Sequence, residues 1–208
     1  MKHFNGIEIP ENLAEIVDPK RSCLVVWDVQ VALTGRIFDQ DSFLQRLGPF
    51  VAALRRRMPV AYTRISPTDL AYAGSWGLYS QMRRMGIQDP AQLTPFLVPG
   101  TPAHAIAQEV APQEGDLVID KATPNLFLGT RFETMMRHRG VRTLIFIGIS
   151  TEVGVETSAR DASARGFFPV VVKDGVSSMD REAHERSLLN LARLAVVEES
   201  AAVLAALG

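Results

Sequence analysis

Short, continuous apolar runs recur along this chain, with helical patterns between them. The first run, SCLVVWD at 22–28, is a continuous apolar run that ends on a charge, which is typical of a strand buried on both faces. Similar runs lie at 59–63, 116–120, 143–148, 168–172 and, more weakly, 194–197. Because strands and helices alternate, the sequence predicts an α/β fold, a three-layer αβα sandwich around a mostly parallel six-stranded sheet.

Capping residues and glycines indicate where the intervening helices begin and end. Thr130 and Glu133 have the spacing of a capping box, in which each side chain satisfies a free backbone N–H group. A glycine follows two of the helical patterns, at 140 and at 166. The helices are predicted to begin at Asp41 or Ser42, at Thr130, at 153, at Asp180 and at Ser200.

The length of 208 residues is typical of one domain, predicted here to span 1–208. Residues 1–20 are polar and are interpreted as an N-terminal arm. Residues 66–112 are rich in Pro, Gly and Met and interrupt the alternation. We expect this segment to be a long excursion or lid with a short helix near 75–85, because long loops in compact domains often cover binding sites.

Charge and cysteine content exclude several classes of protein. The chain has 22 Lys and Arg against 23 Asp and Glu, a formal charge of −1, so a generic nucleic-acid binder is not expected. One cysteine, Cys23, can form neither an intrachain disulfide nor a cysteine zinc cluster. No stretch has the length and composition of a membrane span or a signal peptide, so a cytoplasmic protein is expected.

Chemically capable groups follow three of the predicted strands. Asp28 follows the first run, Lys121 follows 116–120, and the segment 148–154 follows 143–148. Ligands of open parallel sheets bind at the carboxyl ends of the strands, so these groups are predicted to share one cleft. Each has a simpler interpretation by itself: a turn aspartate, a solvated lysine, and glycines that permit close packing.

Three segments carry a resemblance to a known family. They are LVVWDVQ at 24–30, VIDKATPNLFLGT at 118–130 and LIFIGISTEVGVETSARDASARGF at 144–167. In this order and spacing they resemble the isochorismatase-like hydrolases, the cysteine-hydrolase superfamily that includes nicotinamidases and N-carbamoylsarcosine amidases. The resemblance covers roughly residues 22–207.

The resemblance implies a role for several residues. Asp28 would be the general acid and base, and Lys121 would orient it and stabilise its charged form. Backbone N–H groups near Ser150 and Gly154 would form an oxyanion hole, and the Ile149–Ser150 peptide bond would be cis. A small-molecule substrate and no cofactor are expected for this chain, and related proteins commonly form homodimers or homotetramers.

One departure from the family affects the reaction itself. The nucleophilic cysteine of the family falls on position 154, where this chain has glycine. Cys23 cannot replace it, because it lies about 16 Å from Asp28 along a strand and points to the opposite face. The chain therefore resembles a subgroup with Gly in place of the nucleophile. Hydrolysis of a vinyl ether or C–N bond in a small polar or anionic metabolite remains possible, and the alternative is a catalytically inactive metabolite-binding homologue.

Other candidate residues each have two interpretations. Ser150 or Thr151 could be a substitute nucleophile or could belong only to the loop, with Thr151 capping the next helix. Arg64 could bind an anionic substrate or form a surface ion pair, and Phe127 could line the pocket or belong to the core.

No metal or cofactor is predicted. The four histidines, His3, His104, His138 and His184, are too scattered to suggest ligand spacing, and the last two are interpreted as exposed helix positions. Neither GxxxxGK[ST] nor a GxGxxG after the first strand occurs in the sequence.

Overall fold

A computed structural model describes residues 1–67 and 69–208. Two short strands form an antiparallel N-terminal hairpin, and six strands form the central sheet. The strands are β1 (Lys2–Phe4), β2 (Ile7–Ile9), β3 (Ser22–Trp27), β4 (Val60–Ile65), β5 (Leu117–Lys121), β6 (Thr143–Ile149), β7 (Phe168–Ser177) and β8 (Val196–Glu198). Each of the six predicted apolar runs therefore contains or overlaps a strand of the central sheet.

The central sheet has the strand order β5-β4-β3-β6-β7-β8, and its five pairings are all parallel. The order reverses direction beside β3, so the carboxyl ends of β3 and β6 adjoin the point where ligands bind in folds of this type. Gly148 lies beside Trp27 in the ladder. Its φ of +119° and a Cβ that would lie 2.0 Å from the Trp27 carbonyl oxygen require glycine there.

Helices cover both faces of the sheet, which confirms the predicted three-layer sandwich. The helices are α1 (Leu13–Ile16), α2 (Val31–Thr34), α3 (Gln40–Arg55), α4 (Ser75–Met85), α5 (Phe132–His138), α6 (Glu156–Ala164), α7 (Arg181–Leu191) and α8 (Ser200–Leu207). One core cluster joins the sheet to α1, α3 and α8, and the other joins it to α5, α6 and α7.

Three predicted helix starts are wrong, those at Asp41 or Ser42, at Thr130 and at 153. α3 begins at Gln40, before Asp41, and the side chain of Asp39 at its start is bound by Arg46 and Ser177. The capping box at Thr130 does not form, because the Thr130 hydroxyl accepts from Phe132 N at 3.3 Å instead of Glu133 N, and the Glu133 carboxylate is bound by Arg165. The third start differs because residues Thr151–Val155 form a π-helical turn, after which α6 begins at Glu156. The start at Asp180 is confirmed, since this carboxylate accepts a hydrogen bond from Ala183 N at 3.0 Å.

The excursion contains the predicted short helix near 75–85, which is α4. Its aromatic side chains Trp76 and Tyr79 are exposed. The N-terminal arm is more ordered than its polar sequence indicates, because it folds into the β1–β2 hairpin and α1. Within the described ranges 1–67 and 69–208, no helix combines the length and apolar character needed to cross a bilayer.

Candidate active site

Asp28 and Lys121 form a buried ion pair at the carboxyl edge of the sheet. Lys121 Nζ donates a hydrogen bond to Asp28 Oδ2 at 2.6 Å. Thr63 Oγ1 donates to the other carboxylate oxygen, also at 2.6 Å, and accepts from Asp28 N at 3.1 Å. The structure thus brings together the acid and the cation that the sequence placed at two strand ends.

The strand order explains how residues 93 positions apart meet. β4 lies between β3 and β5, and Thr63 on β4 is the residue that bridges to Asp28. Asp28 has a φ of +48°, in the left-handed region that aspartate tolerates better than most residues. The positive φ of Asp28 ends the extended backbone of β3 at the residue that carries the carboxylate.

Burial and pairing act in opposite directions on the two charges. Burial raises the pKa of Asp28, while the Lys121 charge and the hydrogen bonds from Lys121 and Thr63 counteract the rise. Burial also lowers the pKa of Lys121, and Asp28 counteracts that decrease. A carboxyl group with its pKa raised by burial is suited to take up and return a proton during a reaction.

The segment after β6 makes the second wall of the site. The Ile149–Ser150 peptide bond is cis, as the resemblance implied. Residues Thr151–Val155 then form one π-helical turn, in which Gly154 N and Val155 N both donate to the Ser150 carbonyl at 3.1 and 3.2 Å. The oxyanion role of the Gly154 N–H stays a prediction, and its hydrogen bond to Ser150 competes with that role.

The space beside Gly154 is filled by the indole of Trp27. A Cβ built on Gly154 would lie 2.0 Å from Trp27 Nε1 and 2.4 Å from Cε2, far inside contact distance. The indole also lies under the Lys121 ammonium, with Nζ 4.1 Å from the ring centroid. Sequence reasoning missed Trp27, because the run SCLVVWD shows only another large apolar residue.

Thr151 does not cap a helix, which corrects one of its two interpretations. Its hydroxyl donates to the Ser177 carbonyl at 3.1 Å and lies 2.8 Å from His184 Nδ1. His184 is correspondingly buried, at 8% exposure, and the prediction that it is an exposed helix position is wrong. It faces inward because α7 packs against the π-helical turn. The Thr151 hydroxyl is thus already engaged by β7 and α7.

Arg64 forms an ion pair, which was one of its two interpretations. Its guanidinium binds both carboxylate oxygens of Asp120 at 2.8 and 2.9 Å. Asp120 also accepts from Ser66 Oγ, which lies 2.7 Å from His104 Nε2. A direct contact of Arg64 with an anionic substrate stays a prediction.

Phe127 packs within the apolar cluster on the α5–α7 side of the sheet. Its ring lies 5.7 Å from the ring of Phe132 and 6.0 Å from that of Phe167, and it is 7% exposed. Arg165 stacks on it at 4.9 Å. These contacts give Phe127 a packing role. Its contact with substrate stays a prediction.

Gln30 is a further residue whose function the sequence did not reveal. Its side chain is buried and accepts from Ile65 N at 2.7 Å while donating to the His104 carbonyl at 2.9 Å. It therefore ties the start of the excursion and the segment around 104 to the end of β3. These two hydrogen bonds hold the backbone next to Asp28 in place.

Cys23 lies in the core and is expected to be chemically inert. It is fully buried, and burial raises the pKa of its thiol to about 12. Because the thiolate is the reactive form, we expect no reaction of the native protein with Ellman's reagent at neutral pH over hours. The same protein unfolded in guanidinium should release one equivalent of chromophore, and rapid labelling of the native state would contradict the burial.

No three His, Cys, Asp or Glu side chains within residues 1–67 and 69–208 are grouped so as to hold a metal ion. The polar groups that the structure brings together at the site include a carboxylate, an ammonium, a hydroxyl and the backbone of the π-helical turn. This set is suited to proton transfer and to stabilising negative charge.

Comparison with known families agrees with this architecture. Residues 22–202 match the isochorismatase domain. The chain belongs to this family. The solved structures of similar fold include a cysteine hydrolase from Pseudomonas syringae pv. phaseolicola, with a TM-score of 0.78 and 23% identity over 92% of this chain and 94% of that one. An isochorismatase family protein from Burkholderia thailandensis has a TM-score of 0.73 and 26% identity over 90% and 96%.

The chain is also similar to curated enzymes. It is 31% identical over 200 residues to the ureidoacrylate amidohydrolase RutB of Methylobacterium radiotolerans, covering 88% of this chain and 76% of that protein. It is 29% identical over 191 residues to RutB of Pseudomonas syringae pv. syringae, covering 83% and 78%. These similarities support a hydrolase of a small metabolite.

Proposed function

We propose that this protein hydrolyses a small polar or anionic metabolite with the Asp28–Lys121 pair and without a covalent nucleophile. The observation that carries the proposal is the buried contact of 2.6 Å between Lys121 Nζ and Asp28 Oδ2 at the carboxyl edge of the sheet. Open parallel sheets bind their ligands at this edge, so a group placed there can transfer a proton to or from a bound molecule.

The residues around the pair support a route without a covalent intermediate. Gly154 has no side chain, and the indole of Trp27 occupies the space that a side chain there would need. Cys23 is buried within β3 with a raised pKa, and the Thr151 hydroxyl is engaged by Ser177 and His184. Ser150, the other candidate nucleophile, contributes its backbone carbonyl to the π-helical turn, and we assign the attack to water.

For a C–N bond, Asp28 acts first as a base. It takes a proton from water as the water oxygen bonds to the carbonyl carbon, and the C=O electron pair moves onto oxygen. When the carbonyl re-forms, the C–N bond breaks, and the leaving nitrogen takes the proton from Asp28. Lys121 stabilises the carboxylate before and after the reaction. The similarity to ureidoacrylate amidohydrolases favours this bond class.

For a vinyl ether, Asp28 acts first as an acid. It donates its proton to the terminal alkene carbon, and the remaining cation is stabilised by the ether oxygen. Water then adds to that cation and returns a proton to Asp28, and the hemiketal collapses to a ketone and an alcohol. Burial raises the pKa of Asp28 and so favours the protonated form that this route requires.

The alternative proposal is a protein that binds a metabolite without converting it. The observation that favours it is the filled space at Gly154, the position on which the resemblance places the family's nucleophile. In that case the buried pair would hold a polar group of the ligand rather than transfer a proton.

Turnover in ¹⁸O-labelled water tests the proposal. We expect one member of a panel of small amides, ureides and vinyl ethers, isochorismate included, to give a product carrying one ¹⁸O atom, because the oxygen added in hydrolysis comes from water. Protein quenched during turnover should keep its unmodified mass, as measured by intact mass spectrometry.

The controls separate the two proposals. Asp41→Asn removes an exposed carboxylate on α3 and should leave the rate unchanged, whereas Asp28→Asn should lower the rate of product formation by about a thousandfold. A covalent adduct on the protein would contradict the direct attack of water. Absence of product, with ligand-dependent thermal shifts retained, would favour binding without turnover.

A further inference from the structure

The Lys121 ammonium lies in an unusually dry environment. Its side chain is 0% exposed, and among residues 1–67 and 69–208 the group that accepts a hydrogen bond from Nζ is the Asp28 carboxylate. An ammonium has three N–H donors, and removing it from water is costly unless other groups compensate. The electron-rich face of Trp27, with its centroid 4.1 Å from Nζ, is positioned to provide that compensation.

The indole can reach this position because residue 154 is glycine. Trp27 is 1% exposed, and its Nε1, Cε2 and Cζ2 atoms occupy the volume of a Cβ at position 154, at 2.0, 2.4 and 2.6 Å. Any larger residue at 154 would displace the ring and so the surface on which the ammonium lies. Trp27 and Gly154 are therefore complementary in shape.

The backbone allows two consecutive residues to contact the same ammonium. Side chains at successive strand positions point to opposite faces, and Trp27 shares its face and core cluster with Cys23 and Val25. Asp28 follows with a φ of +48°, which interrupts the alternation. As a result, Trp27 supports Lys121 through its ring while Asp28 binds it through Oδ2.

We propose that Trp27 is a positioning residue of this site, whose indole, seated in the space left by Gly154, holds the Lys121 ammonium protonated and aligned with Asp28. Its importance for catalysis rests on the function proposed above, but the contact itself does not. The resemblance places the family's nucleophile at position 154. In this chain the indole of Trp27 fills that space and supports the acid–base pair.

The pKa of Lys121 is the direct readout of this role. The chain has four lysines, Lys2, Lys20, Lys121 and Lys173, so protein carrying ¹³C-labelled lysine gives four Cε signals to titrate by NMR. Lys121→Met assigns the signal of interest by its disappearance. The three remaining lysines are internal references in every titration.

Removing the indole should lower the pKa of Lys121, because the ring stabilises the charged form. We expect a decrease of roughly one unit in Trp27→Leu, the energy range of a desolvated cation–π contact, and a smaller decrease in Trp27→Phe, which keeps an aromatic face. Trp76→Phe removes the exposed indole of α4 and should leave the Lys121 titration unchanged.

An unchanged or raised pKa of Lys121 in both Trp27 variants would overturn the proposal, even if the variants were less stable. The Phe variant keeps the test decisive if the Leu variant does not fold. Because the titration needs no substrate, its outcome is independent of whether turnover is found. Where turnover is found, the alkaline limb of kcat should move to lower pH in Trp27→Phe, which a purely structural role would not produce.

Discussion

Replacing Gly154 with alanine is expected to destabilise the folded protein by roughly 3 kcal/mol, the upper part of the range for overpacking a dense core. The new Cβ would lie 2.0 Å from Trp27 Nε1, so one of the two must move. The indole has no free direction, because it is 1% exposed and lies under the Lys121 ammonium at 4.1 Å. Urea unfolding followed by circular dichroism measures the loss.

Gly77→Ala is the matched control for this prediction. Gly77 lies in α4, and no atom is within 4 Å of a Cβ built there. Because alanine favours helix over glycine, this variant should be more stable by up to about 1 kcal/mol. Equal effects of the two alanine substitutions would contradict the proposed contact between residue 154 and the indole.

A double variant locates the source of the strain. In Trp27→Leu the ring atoms that conflict with a Cβ at 154 are gone, so adding Gly154→Ala should cost much less than it does beside tryptophan. Residues in direct contact commonly show such non-additivity, by about 0.5–3 kcal/mol. Additive losses would mean that the two residues act independently.

The sheet could be predicted from the sequence because buried parallel strands have a pattern that depends on local residues alone. The runs at 22–28 and 143–148 are apolar in their central residues, and each includes most or all of a central strand. The meeting of Asp28 with Lys121 followed from a topological rule, since both residues lie at carboxyl ends of strands in one sheet. Neither prediction required knowledge of side-chain packing.

The parts that could not be predicted depend on contacts between distant segments. The fit of Trp27 against Gly154 joins β3 to the turn after β6, and no local pattern encodes the volume of an indole. His184 has the sequence of an exposed helix position, yet the Thr151 hydroxyl 2.8 Å from its Nδ1 places it inside. The choice between the two interpretations of Arg64 likewise depended on the position of Asp120 on the neighbouring strand.

Replacing Asp28 with asparagine is expected to lower kcat/KM by about a thousandfold, within the range that a positioned acid–base group contributes. Asparagine keeps the size of the side chain and can still accept from Thr63, but it can neither take a proton from water nor donate one as an acid. The loss should appear in kcat, since the group acts on the reacting atoms. Steady-state kinetics on the substrate identified in the ¹⁸O experiment measures it.

Loss of activity in this variant must be separated from loss of fold. Without the carboxylate, the Lys121 ammonium is buried with no opposite charge, and breaking a buried pair on one side costs about 3–5 kcal/mol. The pKa of Lys121, already lowered by burial, should fall further, so part of that cost is avoided when the amine loses its proton. The double variant Asp28→Asn with Lys121→Met has no buried charge and should recover stability without recovering activity. Full activity in a folded Asp28→Asn protein would show that another group performs the proton transfer.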